Sequence, residues 1–292
     1  MSYIKYEDGM VYSTVDKVVG VDEALSPGFY KPMFNQNREV CYETLVPKEL
    51  HSPIMLKPLV DTMKYVDEFC KPETKKTINE MGYLHKMGVF LHGDSGTMKT
   101  TFSWYVASKL IETMKAIMLD TGILEAMIQS VKKIREKQDN LIVVIIDEAD
   151  LYVEQEASLK KFLDGPDSLD NIIVFATTNR KEVFHPSLFR PSRFGIITEI
   201  PGIDDIKEIE KILKGKKVKY TKDELNELKG SNMEEIKDFM RNKVFNVQVS
   251  STSVKQIGFR RSEEQEDPES ISGKEIYEPT KSFVFGNFFD ED

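Results

Sequence analysis

The octapeptide Gly93-Asp94-Ser95-Gly96-Thr97-Met98-Lys99-Thr100 sets two glycines, a lysine and a hydroxyl at a spacing suited to holding phosphate. Backbone N–H groups of such a loop, with the positive end of a following helix dipole, surround oxygens that no single side chain could neutralise. Lys99 adds a full charge, and Thr100 could place its hydroxyl on a Mg2+ ion bridging two terminal phosphates. One position departs from the pattern G-x-x-x-x-G-K-[ST], because Met98 stands where glycine would let backbone approach phosphate closely. Asp94 must turn its carboxylate outward if a polyphosphate is to bind beside it. Alone, the octapeptide is open between a nucleotide site and an ordinary Gly-rich turn.

Other residues bear on that choice. Asp147 and Glu148 follow six consecutive aliphatic residues, Leu141 to Ile146. Charges at the carboxyl end of a buried strand lie where open α/β sheets bind ligands. Asp147 could hold Mg2+ through water, and Glu148 could orient and deprotonate an attacking water; the bland alternative is a pair of acids ending a strand in solvent. Asn179 closes a second apolar run, and its amide could hold a water near a γ-phosphate. Arg190 and Arg193 stand three apart in a proline-constrained segment, and arginine is the side chain that stabilises transferred phosphoryl charge.

The elements that must position these groups are legible as apolar patterns. Gly88 to His92 is a short buried strand entering the loop, and Thr100 to Glu112 is a helix leaving it, with Trp104, Ala107, Ser108 and Ile111 on one face. Ala116 to Leu119 reads as a strand, Ile123 to Lys137 as an amphipathic helix, and Leu141 to Ile146 as a strand buried on both faces. Leu159 to Leu163 supplies a helix and Asn171 to Ala176 a further strand. Upstream, Met55 to Cys70 is a helix with Leu59, Met63, Val66 and Phe69 inward, and Met10 to Val15 is β-like. Gly28 to Phe34 faces Val40 to Val46 across Asn35-Gln36-Asn37-Arg38 as a hairpin, either a partner-binding module or an extra piece of the main sheet. Downstream, Asp204 to Gly215 and Thr221 to Val244 read as helices, with capping-box spacing at Thr221/Glu224 and Ser231/Glu234.

Composition bounds the function. A chain of 292 residues with 40% hydrophobic content can bury a sizeable core. The first residues lack the apolar run of a signal peptide and nothing approaches a membrane span, so a cytoplasmic setting without membrane contact is expected. Two separate cysteines and four scattered histidines suggest neither a disulfide framework nor a zinc site. The net charge of −9 is uneven: Phe259 to Asp292 carries ten acids against four bases, so the remainder holds only −3 and a local basic surface is not excluded.

Taken in order, these motifs resemble the AAA ATPases of the AAA+ superfamily over roughly residues 55 to 245. Met87 to Gly93 followed by Asp94 to Thr100 is similar to that family's Walker A approach, and Asp147-Glu148-Ala149-Asp150 to its Walker B. Leu163-Asp164-Gly165 followed by Ala176 to Arg180 is similar to the segment ending in sensor 1, and Arg190-Pro191-Ser192-Arg193-Phe194 to the arginine-finger element. The resemblance implies an α/β fold: a parallel-sheet P-loop NTPase core over 48–202, a small helical lid over 203–247, a short N-terminal β element over 1–47 and an acidic tail over 248–292. It implies ATP and Mg2+ as ligands of Gly93 to Thr100 and Asp147, with Thr100 and Asp147 toward the metal, and Glu148, Asn179, Arg190 and Arg193 as catalytic residues. The two arginines would reach a neighbouring subunit's γ-phosphate, so the chain would work as a homo-oligomer, in a ring, on a protein or nucleoprotein partner.

Two departures accompany the resemblance. No arginine stands at the start of the last helix, where the family's sensor 2 would be, and no aromatic lies between Tyr105 and Tyr152, where polypeptide-threading members usually carry one, although an aliphatic such as Ile123 could substitute. The competing class is a nucleotide-dependent scaffold whose loop has degenerated around Met98; a nucleotide kinase fits the paired arginines less well. The tail ends in Ser282 to Asp292, four phenylalanines before three acids, which reads either as a strap on the chain's own surface or as a peptide that docks on a partner.

Overall fold

The computed structural model describes residues 2–5, 10–14, 24–46, 53–165 and 168–245. Its strands are β1 Ser2–Lys5, β2 Met10–Thr14, β3 Gly28–Phe34, β4 Val40–Leu45, β5 Lys86–His92, β6 Ile117–Asp120, β7 Ile142–Ile146, β8 Ile172–Thr178 and β9 Ile196–Glu199. The helices are α1 Lys57–Phe69, α2 Pro72–Glu80, α3 Lys99–Met114, α4 Leu124–Arg135, α5 Glu156–Asp164, α6 Ile206–Gly215, α7 Lys222–Glu227 and α8 Met233–Phe245.

All of β7 is buried, so it has no wet face and must lie between two layers. It is a middle strand of one sheet ordered β1-β2-β4-β3-β6-β7-β8-β5-β9. From β3 through β9 every neighbouring pair is parallel, whereas β1, β2, β4 and β3 pair antiparallel. Side chains alternate strictly across this sheet. Val89, Leu91, Met118, Val143, Ile145, Ile173 and Phe175 enter one core with α1, α3 and the C-terminal helices, while Phe90, Ile117, Leu119, Ile142, Val144 and Ile146 enter the other with α4 and α5. This is the parallel α/β architecture with C-terminal helices that the sequence implied. No helix among the described residues is long and apolar enough to cross a membrane.

The hairpin β3/β4 is an extension of the main sheet, because Gly28, Phe29 and Tyr30 pair in parallel with Ile117, Met118 and Leu119. That attachment changes the reading of α3. Its buried face is Phe102, Ser103, Val106, Ala107 and Leu110, one step round from the stripe expected on Trp104 and Ile111. Trp104 instead stacks on Phe29, with ring centroids 5.5 Å apart and planes within 9°. A helix touched from two directions shows a wide apolar arc, and single-face counting then selects the wrong centre.

The C-terminal helices also differ from expectation. The stretch 221–244 holds two helices, α7 and α8, separated by a turn at Gly230, where φ is +80°. The Thr221/Glu224 capping box forms, but the second lies one residue later than Ser231/Glu234: Asn232 and Glu235 exchange side-chain to backbone hydrogen bonds, both 2.9 Å. Ser231 is unavailable as a cap because its carbonyl accepts Ile203 N–H in a β-bridge. The stretch 248–292 and its aromatic end lie outside the described residues.

Close backbone contact seats the two arginines. An added Cβ on Gly88 would sit 2.1 Å from the Arg193 carbonyl oxygen, so only a bare backbone lets that segment rest on β5. Gly88→Ala should therefore lower stability by about 1–3 kcal/mol through overpacking. Gly215→Ala, where nothing lies within 4 Å, is the control and should be neutral or slightly stabilising. Equal urea midpoints for the two variants would contradict this.

Candidate functional site

Parallel strands end together, and the ends of β5, β7 and β8 bring Lys99, Asp147 and Thr177 to one place. A cleft of about 210 Å³ there is lined by Ser95 to Thr101, Asp147, Glu148 and Thr177 to Asn179. Gly93 and Asp94 precede this lining, and Asp94 is exposed. Their carbonyl oxygens accept hydrogen bonds from Lys99 Nζ at 2.8 and 2.7 Å, and Thr97 Oγ1 also donates to Asp94 O, at 2.8 Å. Burial pushes the Lys99 ammonium below the usual lysine range, with Asp94 and Asp147 pulling it back. A cation folded onto neutral carbonyls in a half-dry loop is a group that an anion would attract.

Met98 is the first residue before α3 and has φ 71° and ψ 19°, the left-handed conformation that favours glycine. The loop thus keeps a glycine-like backbone with a side chain attached. That side chain is buried in the core shared with α1 and the C-terminal helices. Burying a methionine is worth about 1.5–3 kcal/mol, which offsets a left-handed cost of about 1–2 kcal/mol.

Thr100 Oγ1 donates to Asp147 Oδ1 at 2.7 Å, so a hydroxyl and a carboxylate already stand side by side as hard oxygen donors. Such a pair suits Mg2+ in both donor type and charge. Glu148 projects from the next residue into solvent at φ 48°, and Asn179 is exposed at the end of β8. All of Gly93 to Thr100, Asp147, Glu148 and Asn179 are therefore gathered at one end of the sheet.

The arginines are not. Neither lines this cleft; Arg193 borders a separate one of about 530 Å³ with Tyr83, Leu84, Asp164 and Pro191. The pair is also unequal. Arg193 is half-buried, donates from Nη1 to Ser187 O at 2.7 Å and sits 3.8 Å from Asp164, whereas Arg190 is exposed. Asp164 also accepts from Ser192 Oγ at 2.7 Å, and its carboxyl is held below the usual range chiefly by that hydrogen bond.

Several residues escaped the sequence reading. Thr177 donates to Asp147 Oδ1 and accepts from Glu148 N–H at 3.2 Å. Asp150 accepts from Thr178 Oγ1 at 2.8 Å and from Arg180 Nη2 at 2.7 Å, tying the end of β8 to the turn after β7. Burial opposes ionisation of Asp150, but the Arg180 and Thr178 bonds outweigh it and lower its pKa. Asp120, at the end of β6, is pushed up by burial, with Lys31 of β3 opposing and Asp147 adding to the rise. The signal for Thr177 was available: counting by twos from Val143 and Ile173 places Asp147 and Thr177 on one face. Where a sensor 2 arginine is missing, Glu234 N–H donates to Gly96 O at 3.2 Å, and the Glu234 side chain packs on that glycine.

Comparison with known proteins accords with this geometry. The model of the AAA family, ATPases associated with various cellular activities, matches residues 89–202. Those residues are a AAA ATPase family domain. The domain spans the loop, the acidic strand end and both arginines. Over 151 residues the chain is 28% identical to the vesicular-fusion protein SEC18 of Saccharomyces cerevisiae, covering 42% of this chain and 20% of that protein. It is 29% identical to the proteasome-activating nucleotidase of Aeropyrum pernix, over 42% of this chain and 35% of that protein. With the ATP-dependent zinc metalloprotease FtsH of Thermotoga maritima it shares 30% identity over 52% of this chain and 28% of that protein. The chain thus spans about a fifth to a third of these relatives' lengths.

Met98→Gly should relieve the left-handed strain but lose the buried side chain and loosen the unfolded chain, for a net loss of about 1–2 kcal/mol. Chemical denaturation reads this directly. A glycine variant more stable than the parent would show that the side chain contributes nothing.

Proposed function

We propose that the chain is an ATP-hydrolysing AAA-type ATPase that acts as an oligomer, in the cytoplasm, to remodel a protein or nucleoprotein partner. The observation that carries this reading is the junction of Lys99, Thr100, Asp147 and Glu148 at one end of the sheet, around a cleft bounded by bare loop backbone. Relatives named for vesicular fusion and for proteasome activation support a partner that is protein.

In this reading Lys99 leaves the Gly93 and Asp94 carbonyls to meet the terminal phosphates, joined by loop N–H groups and the α3 N-terminus. Thr100 and Asp147 would hold Mg2+, which when bound neutralises charge developing on the phosphate oxygens. Glu148 accepts a proton from water as it attacks, and Asn179 steadies that water. Arg190, exposed and outside the lining of its own cleft, completes the cleft of an adjoining copy. Arg193 has a different task. Its bonds to Ser187 O and its proximity to Asp164 hold the segment from which Arg190 projects.

Four substitutions separate these roles. Lys99→Ala should abolish binding of a fluorescent ATP analogue, whereas Glu148→Gln should bind it and release phosphate at least about 100-fold more slowly than the parent. Glu148→Gln turning over at the parental rate would refute the assigned base. Arg190→Ala should melt normally, bind ATP and hydrolyse poorly, and mixing it with Glu148→Gln should restore part of the turnover. No recovery in verified mixed oligomers would contradict a site completed by a neighbour. Arg193→Ala should instead lower the melting temperature, because it removes a half-buried hydrogen bond.

A further inference from the structure

The geometry points to Thr177 as a positioning residue that sets the aim of both acids at the end of β7. The inference rests on the ATPase reading and goes beyond it, since Thr177 touches neither phosphate nor water in that scheme. Its single hydroxyl is used in both senses. It donates to Asp147 Oδ1 and accepts Glu148 N–H at 3.2 Å, and the side chain is buried, 2% exposed. Asp147 Oδ1 receives a second hydroxyl, Thr100 Oγ1, at 2.7 Å. The carboxylate of Asp147 is thereby held from the β8 side by Thr177 and from the loop side by Thr100.

The second contact matters for Glu148. That residue adopts φ 48° and ψ 53°, a left-handed conformation that a side-chain-bearing residue keeps only when its surroundings hold it there. The bond from Glu148 N–H to Thr177 Oγ1 anchors that turn at its first residue, beside the bonds that Asp150 accepts from Thr178 and Arg180 further along it. The direction in which the exposed Glu148 carboxylate leaves the chain follows from its backbone, so the anchor determines where the proton acceptor stands. Parity makes the arrangement specific. Thr177 lies on the sheet face of Phe175 and Ile173, toward Asp147, whereas Thr178, one residue on, points to the other face and bonds Asp150 instead. The adjacent threonines therefore have separate tasks.

Nucleotide is held in the ground state chiefly by the loop and Lys99, to which Thr177 makes no hydrogen bond, and Asp147 keeps the Thr100 hydroxyl when that of Thr177 is lost. Loss of its hydroxyl should accordingly lower kcat and leave KM nearly unchanged. Misplacing a catalytic group by about 1 Å costs on the order of 100-fold, and loss of a supporting bond about 10- to 100-fold. The test is steady-state phosphate release by the full chain carrying Thr177→Val, Thr177→Ala or Thr177→Ser, beside the parent and Glu148→Gln. Fluorescent ATP-analogue binding confirms that each variant's cleft is folded. Thr177→Val should lose about 10- to 100-fold in kcat with KM within about 2-fold, and Thr177→Ser, which keeps the hydroxyl, should recover most of the rate. If Thr177→Val fails to bind the analogue, the smaller Thr177→Ala must show the split instead. A valine variant at the parental rate, or a serine variant as slow as valine, overturns the inference while leaving the ATPase reading intact. A parent that releases no phosphate beyond Glu148→Gln overturns both.

Discussion

The carboxylate of Asp147 depends on two hydroxyls from two other parts of the chain, and most of the molecule can be understood as what is needed to bring them there. Thr100 arrives on the first turn of α3 and Thr177 at the end of β8, and both donate to the same oxygen. Three segments far apart in sequence meet only because β5, β7 and β8 run parallel and in register, with Val89 opposite Phe175 and Ile145 opposite Phe175 on its other side. The register in turn is set by alternation. Slipping β7 by one residue would turn Val143 and Ile145 to the opposite face and carry Asp147 with them.

This dependence explains which features were legible in the sequence. The loop, the acidic pair and the parallel strands were readable because phosphate chemistry and burial on two faces each impose a local pattern. The α3 face was misjudged because Trp104 is covered by Phe29, a residue 75 positions away that no helical periodicity reports. The start of α8 was misplaced by one residue because capping-box spacing fits Ser231/Glu234 as well as Asn232/Glu235, and the decisive event is the bridge between Ser231 and Ile203. The inequality of Arg190 and Arg193 was likewise invisible, since it comes from Asp164 and Ser187 folding against only one of them.

Met98 shows how a departure from a motif can preserve its geometry. The loop needs a left-handed backbone before α3, and glycine is the residue that meets the need at least cost. Here the cost is met by burying the thioether in the core beneath α1 and the C-terminal helices. The same core contains Met233 and Ile236 at the start of α8, whose next residue, Glu234, rests against Gly96 of the loop. The C-terminal helices and the loop thus share both an apolar core and a direct backbone hydrogen bond.

On the reading proposed above, this strand-end cluster is a magnesium-dependent ATPase site that becomes complete only between copies of the chain. It is tested most directly by phosphate release from ATP across a wide range of protein concentrations, with Mg2+ present or chelated. Release is expected only with Mg2+, at a rate per chain that climbs with concentration to a plateau as copies assemble. Absence of Mg2+-dependent release at every concentration would contradict the site. A rate per chain that stays at its full value under conditions where the chain is shown to be monomeric would contradict completion by a neighbour.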